Sequence, residues 1–170
     1  MDAYAFTATL EKFNSNLWGF HIAVPDAISQ VFVARNAKRV VCTLNEQVEF
    51  QCALMPRGDG SYFININKKL RDQLRLKLGS PVHVGLLEDA SEYGLPMPEE
   101  FSEVLKQDTE GDALFHALTP GKQRTLLYIA GSVKSPDLRI ERALIVLDHL
   151  RKNDGKIDFK MLNADLKKGR

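Results

Sequence analysis

Lys68, Lys69, Arg71, Arg75 and Lys77 fall within ten residues, inside the stretch YFININKKLRDQLRLKLGSPVHVGL that runs from Tyr62 to Leu86. Five cations that converge would form an anion or nucleic-acid contact, because each can neutralise a phosphate and release its counterion. Five that point apart are the wet side of a small helix. Leu70 and Leu74, four apart, set one apolar face and leave Lys68, Lys69, Arg71, Asp72 and Arg75 around the remaining surface. No exposed aromatics are interleaved for stacking on single strands.

Other chemistry is sparse. The four histidines, His21, His83, His116 and His149, show no glutamate partner at i, i+4 and no zinc-finger spacing, so no metal site is expected. His21 and His83 sit one residue off the apolar face of alternating segments and read as exposed strand histidines. His149 follows Asp148, but successive helical residues diverge by about 100° and do not orient one another. There is no G-x-S-x-G turn and no phosphate-cradling loop before a helix; GDGS at 58–61 reads as a hairpin turn, and the RGD at Arg57 to Asp59 as turn chemistry. Neither an enzyme nor a cofactor is expected. With a hairpin turn at Asn45 and Glu46, Cys42 faces Glu49 and Cys52 faces Arg39, so the two cysteines are expected as free thiols.

The elements that must position these residues follow from apolar spacing. The chain has 170 residues, 44% apolar and 26% charged, with a net charge of +1, so any electrostatic partner must be sought in local clusters. No run approaches the ~20 apolar residues of a membrane span. The amino terminus lacks the basic, apolar and small-residue order of a secretory signal, and a soluble cytoplasmic protein is the expectation. Shifting the sequence by 42 residues aligns 5–44 with 47–86 without a gap, and eleven apolar pairs coincide, from Phe6/Val48, Ala8/Phe50 and Leu10/Cys52 through Ile22/Ile64 and Ile28/Leu70 to Leu44/Leu86. Their spacing is two, then four, then two. Each copy therefore reads strand, turn, strand, short helix, strand, giving six strands and two helices. Turns are expected at Asn14 to Asn16 and Pro56 to Ser61. Neither copy of ~40 residues buries its own apolar face, so two copies are expected to close on one core.

The second copy resembles the AbrB-type swapped-hairpin unit, a strand, a K-x-L-R-x-x-L helix, a glycine and a V-x-V strand. With WGFHIAVP (18–25) upstream and Gly58 and Gly60 before Tyr62, residues 1–90 more closely resemble a bacterial domain of unknown function with a double-split β-barrel fold. The resemblance implies a duplicated, pseudo-two-fold barrel within one chain, hence a monomer or weak dimer. The basic helix has no counterpart in the first copy, where Asp26, Ser29 and Gln30 match Lys68, Arg71 and Asp72. That asymmetry weakens a DNA reading.

Beyond a linker at 91–97, with Gly94 and Pro96, the spacing turns helical over 98–152. Phe101, Val104 and Leu105 mark one helix and Leu114, Ala117 and Leu118 another. Thr119 and Pro120 start a third, with Leu126, Ile129, Ala130 and Val133. Ser135 to Asp137 starts a fourth, with the stripe Ile140, Ala143, Leu144, Leu147 and Leu150. The tail 153–170 is read either as a further helix on Ile157, Met161 and Leu162 or as loose chain. GKQRTLLYIAGSVKSPDLRIERALIVLDHL (121–150) resembles the YdeI-or-OmpD-associated bacteriocin-protection family, through Arg124, Lys134, Arg139 and Arg142. The resemblance implies that these four contact a partner and that the protein serves antimicrobial resistance. Residues 92–112 hold seven acids against Lys106, a balance of −6, whereas 119–170 hold twelve bases and six acids, +6. The fold class expected is α+β, a duplicated double-split β-barrel followed by a small all-α domain. The function expected is non-catalytic binding of a protein partner or, alternatively, of nucleic acid through 68–77.

Overall fold

A computed structural model describes residues 3–14 and 19–169. Ser15 and Asn16 of the first expected turn, and Trp18, lie outside them. The chain divides into two compact units, 1–90 and 91–170.

The first unit is built from β1 (Tyr4–Thr9), β2 (Glu11–Lys12), β3 (Phe20–Val24), α1 (Asp26–Ala34), β4 (Arg39–Leu44), β5 (Val48–Ala53), β6 (Met55–Pro56), β7 (Tyr62–Asn65), α2 (Lys68–Leu74) and β8 (Pro81–Glu88). These strands make two antiparallel four-stranded sheets, in the orders β1-β8-β4-β5 and β2-β3-β7-β6, and no closed barrel is formed among the described residues. One core lies under them, with Leu10, Ile22, Val40, Cys42, Leu44 and Ile64 fully buried.

Eight strands replace the six expected, because the chain leaves one sheet for the other at two leucines. Leu10 separates β1 from β2 and Leu54 separates β5 from β6, and both are buried. The Leu10 N–H donates to the Ser80 carbonyl at 2.9 Å and its own carbonyl accepts from Gly79, while the Leu54 N–H donates to the Lys38 carbonyl at 2.8 Å. These bonds hold the bend after each first strand. The gapless offset is corrected at the same place: β3 and β7 begin 42 residues apart, but β1 and β5, and Leu10 and Leu54, stand 44 apart. A slip of two residues is invisible to a period of two.

The turn after β4 is Asn45 to Gln47, not two residues. Leu44 pairs with Val48, and Asn45 and Glu46 adopt φ of 50° and 56°. Cys42 therefore faces Phe50 and Cys52 faces Val40. Both thiols are free, and a hydrogen bond with Cys52, together with burial, pushes the Cys42 thiol far above its ordinary value, so it stays protonated.

The second unit contains α3 (Glu99–Gln107), α4 (Thr109–His116), α5 (Pro120–Gly131), α6 (Pro136–Lys152) and α7 (Phe159–Lys168). Its separate core includes Phe101, Phe115, Leu126, Leu147, Leu150 and Leu162. Side-chain caps start three of these helices: Asp108 accepts from the Gly111 N–H, Ser135 from Leu138 and Asp158 from Met161. Thr119 occupies the N-cap of α5 without a side-chain bond. The stripe expected on α6 is displaced. Ala143, Val146, Leu147, His149 and Leu150 are buried, whereas Ile140 and Leu144 are 40% and 53% exposed. The helix thus faces the core through a strip rotated toward Val146 and His149. The tail forms α7, anchored by fully buried Leu162.

Candidate functional site

The basic residues of α2 do not converge. Asn67 caps the helix by accepting the Leu70 N–H at 2.9 Å, and Lys68 bonds Asp72 at 2.6 Å on the exposed face. Arg71 turns inward: its Nη1 donates to the Ile66 carbonyl at 2.7 Å and its guanidinium lies 4.0 Å from the centre of the Phe20 ring. It stitches α2 to the residues between β7 and the helix. Arg75 ends the helix in a left-handed conformation, φ 53°, and is exposed with Lys69 and Lys77.

The arginines of α6 take structural bonds. Arg142 Nη1 donates to the Ile129 carbonyl at 2.8 Å and to Ser132 Oγ at 3.2 Å. Arg139 Nη1 donates to the carbonyls of Val133 and Lys134, both at 3.0 Å, and its Nη2 pairs with Glu100 Oε1 at 2.9 Å. Together they satisfy the end of α5 and the connection to α6, where helical carbonyls lack intrahelical donors. The Arg139 hydrogen bond holds the Glu100 carboxyl below its ordinary range. Arg124 is half-buried and Lys134 exposed.

Arg139 and Glu100 close one end of a groove of about 460 Å³ between residues 95–98 and α5. Its walls are largely apolar: Leu95, Met97 and Pro98 on one side, Leu127 and Tyr128 on the other. Gly131 permits this approach, since a Cβ there would stand 2.9 Å from Pro98 Cγ. Tyr128 is 68% exposed above the groove, unusual for a large ring without a partner.

Met97 also borders a second, polar concavity of about 470 Å³ that includes Glu92, Tyr93, Asp112 and His116. The Tyr93 hydroxyl lies 2.7 Å from His116 Nε2, and His116 Nδ1 lies 2.9 Å from the Asp112 carbonyl and 3.1 Å from Asp112 Oδ1. The phenol has one proton and two acceptors within reach, His116 Nε2 and the Glu92 carboxylate. Burial, then a hydrogen bond to the Glu92 carboxylate, raises the Tyr93 pKa. The sequence reading missed this chain, although Asp112 and His116 are spaced i, i+4.

The other histidines divide. His83 is exposed, its Nδ1 3.3 Å from Thr7 Oγ1. His21 is buried, which corrects the expectation. Phe13 stacks on its ring at a centroid distance of 3.6 Å, Phe63 meets it edge-on, and Glu11 Oε2 lies 3.2 Å from Nε2. The face of β3 opposite the main core is thus roofed by Phe13. His149 is buried and its Nε2 accepts the Asp158 N–H at 3.1 Å. Among the described residues no group of three or more His, Cys, Asp or Glu is placed to hold a metal, and no helix is long and apolar enough to cross a membrane.

Each unit is similar to a family model of its own. Residues 6–86 match the domain of unknown function DUF1905. Residues 95–153 match the family OmdA, described as "Bacteriocin-protection, YdeI or OmpD-Associated". The two matches follow one another in the order expected from sequence, one within each compact unit. No curated protein matches the chain.

Proposed function

We propose that the chain is a non-catalytic binding protein of bacteriocin protection, and that the groove between 95–98 and α5 holds the peptide. The groove carries the reading: it is apolar, it is overhung by the exposed Tyr128 ring, and it adjoins the acidic concavity across Met97. Residues 92–112 have a balance of −6, of which Arg139 and Arg151 offset two charges through Glu100 and Asp108. An amphipathic cationic peptide has complementary chemistry, with apolar side chains for the groove and ammonium groups for the acids beside it.

The test is calorimetry with a cationic bacteriocin peptide, combined with survival of cells producing the protein. Tyr128→Asp should abolish both binding and protection while leaving Tm unchanged, because Tyr128 is exposed. Undiminished protection by a normally folded Tyr128→Asp protein would remove the groove from the mechanism.

For the first unit, we infer a duplicated double-split barrel. Exchanging β1–β4 with β5–β8 turns each sheet order into its own reverse, and both halves carry a buried leucine at the sheet change. Pairing of both halves within one chain favours a monomer or weak dimer. Nucleic-acid binding through α2 is the second reading, favoured by the exposure of Lys69, Arg75 and Lys77.

A further inference from the structure

β1 lies at the end of its sheet and, among the described residues, pairs only with β8. The direction of its outward backbone groups follows from one residue. His83 stands opposite Thr7, yet its backbone is engaged on the β4 side: its carbonyl accepts the Asn45 N–H at 2.8 Å and its N–H donates to Asn45 Oδ1 at 2.8 Å. Thr7 and His83 are therefore a non-hydrogen-bonded pair, and by the antiparallel alternation so are Ala5/Gly85 and Thr9/Pro81. Pro81, which has no N–H, agrees with that assignment. The N–H and C=O groups of Ala5, Thr7 and Thr9 consequently point away from β8, and among the described residues no backbone group bonds to them.

The opposite edge, β5, is guarded. Its outward positions include the charged Glu49. Native sheets blunt free edges with charge, proline or bulges. β1, with the sequence YAFTAT, has no charge and no proline. A concavity of about 400 Å³ runs beside it, bounded by Thr7 and Thr9 on one wall and by Ala23 and Val24 of β3 on the other. Among the described residues β2 pairs with Phe20 and His21, and no strand is paired with Ala23 and Val24 on that side.

We propose that this free edge docks an extended peptide by strand addition, independently of the groove in the helical unit. Thr7 and Thr9 supply main-chain donors and acceptors, and the half-buried Ala23 receives a β-branched side chain. Glu11 and Asp26 line the concavity against a single guanidinium, Arg57, which lies over the Phe13 ring. That balance selects a segment carrying a lysine or arginine at this end.

A displayed library of random ten-residue peptides, selected on the full chain, tests the assignment. Enriched sequences should alternate β-branched residues, contain a basic residue and lack proline, and the synthesised winner should slow amide exchange at Ala5, Thr7 and Thr9. Thr7→Pro removes an outward N–H that takes no part in the β1–β8 ladder, a position where sheets tolerate proline. It should weaken the winning peptide more than tenfold. Ala23→Arg, which fills the concavity without altering β1, should do the same and serves if Thr7→Pro fails to fold. Asp26→Lys should shift selection away from basic sequences. The proposal is overturned by absent enrichment, by winners that bind both folded variants equally, or by self-association of the native chain that Thr7→Pro abolishes. The last result would assign the edge to a second copy.

Discussion

Arg142 directs one guanidinium nitrogen to the Ile129 carbonyl and to Ser132 at the end of α5. Arg142→Ala should therefore destabilise the helical unit by about 1–3 kcal/mol, the worth of the lost charge-assisted hydrogen bond, while the Ile129 carbonyl keeps the Ser132 hydroxyl at 3.2 Å. Arg142→Lys should recover part of the loss, because both bonds come from one nitrogen and an ammonium supplies several donors from one centre. Denaturant titration separates this from a purely partner-facing role, in which Arg142→Ala would leave the midpoint in place. Asp108 behaves similarly, bonding Arg151 at 2.6 Å and capping α4, and the Arg151 hydrogen bond followed by that of Gly111 lowers its pKa. Since the folded pKa lies below the unfolded one, the stabilisation is present above the ordinary aspartate range and is lost as pH falls through the folded value. Asp108→Asn should flatten the acid limb of Tm against pH; an acid limb identical to that of the native chain would show that the pair contributes nothing. In the sequence these residues were only charges. A resemblance pointed to Arg139 and Arg142, but which acceptors they meet depends on where a preceding helix stops, and spacing does not contain that.

At the scale of elements, alternation and helical spacing were legible and their register was not. The strands from β3 onward fell where Ile22, Cys42, Ile64 and Val84 marked them, whereas the first strand slipped by two because Leu10/Cys52 and Leu10/Leu54 fit a period of two equally well. His21 was misplaced for a related reason. Alternation says which face a residue takes, but not that Phe13 will cover the second face. The α2 helix was placed correctly as an element, yet Arg71 was counted as free when it lies against Phe20. This changes what nucleic-acid binding by α2 must look like. With Lys69, Arg75 and Lys77 as the exposed contacts, log K against log salt should have a slope no steeper than about −2.7, at −0.9 per phosphate. Lys69→Ala with Arg75→Ala should bring it to about −0.9. Duplex DNA titrations over a salt series measure both, and no detectable binding at ~0.15 M salt would remove the nucleic-acid reading.

At the scale of the whole molecule, the two units have separate buried cores, and the second extends beyond the segment that the family match covers. The match ends at residue 153, whereas Leu162 of α7 is fully buried among residues that include Leu147 and Leu150. His149 also depends on the tail, because its Nε2 accepts from Asp158. Removing 154–170 takes away Ile157, Leu162 and Leu166, one fully and two partly buried, and exposes the apolar surfaces they cover. At about 1.5–3 kcal/mol for a fully buried aliphatic side chain and less for the others, the loss is roughly 4–6 kcal/mol. A unit of this size has a total stability of about 4–12 kcal/mol. A fragment spanning 91–170 should thus unfold cooperatively by circular dichroism, while 91–153 should be largely unfolded or close to its threshold at 25 °C. In the full chain, Leu162→Ala should cost about 2–4 kcal/mol, since it leaves a cavity at the α6–α7 contact. A fragment 91–153 as stable as 91–170 would mean that α7 only rests on a core complete without it.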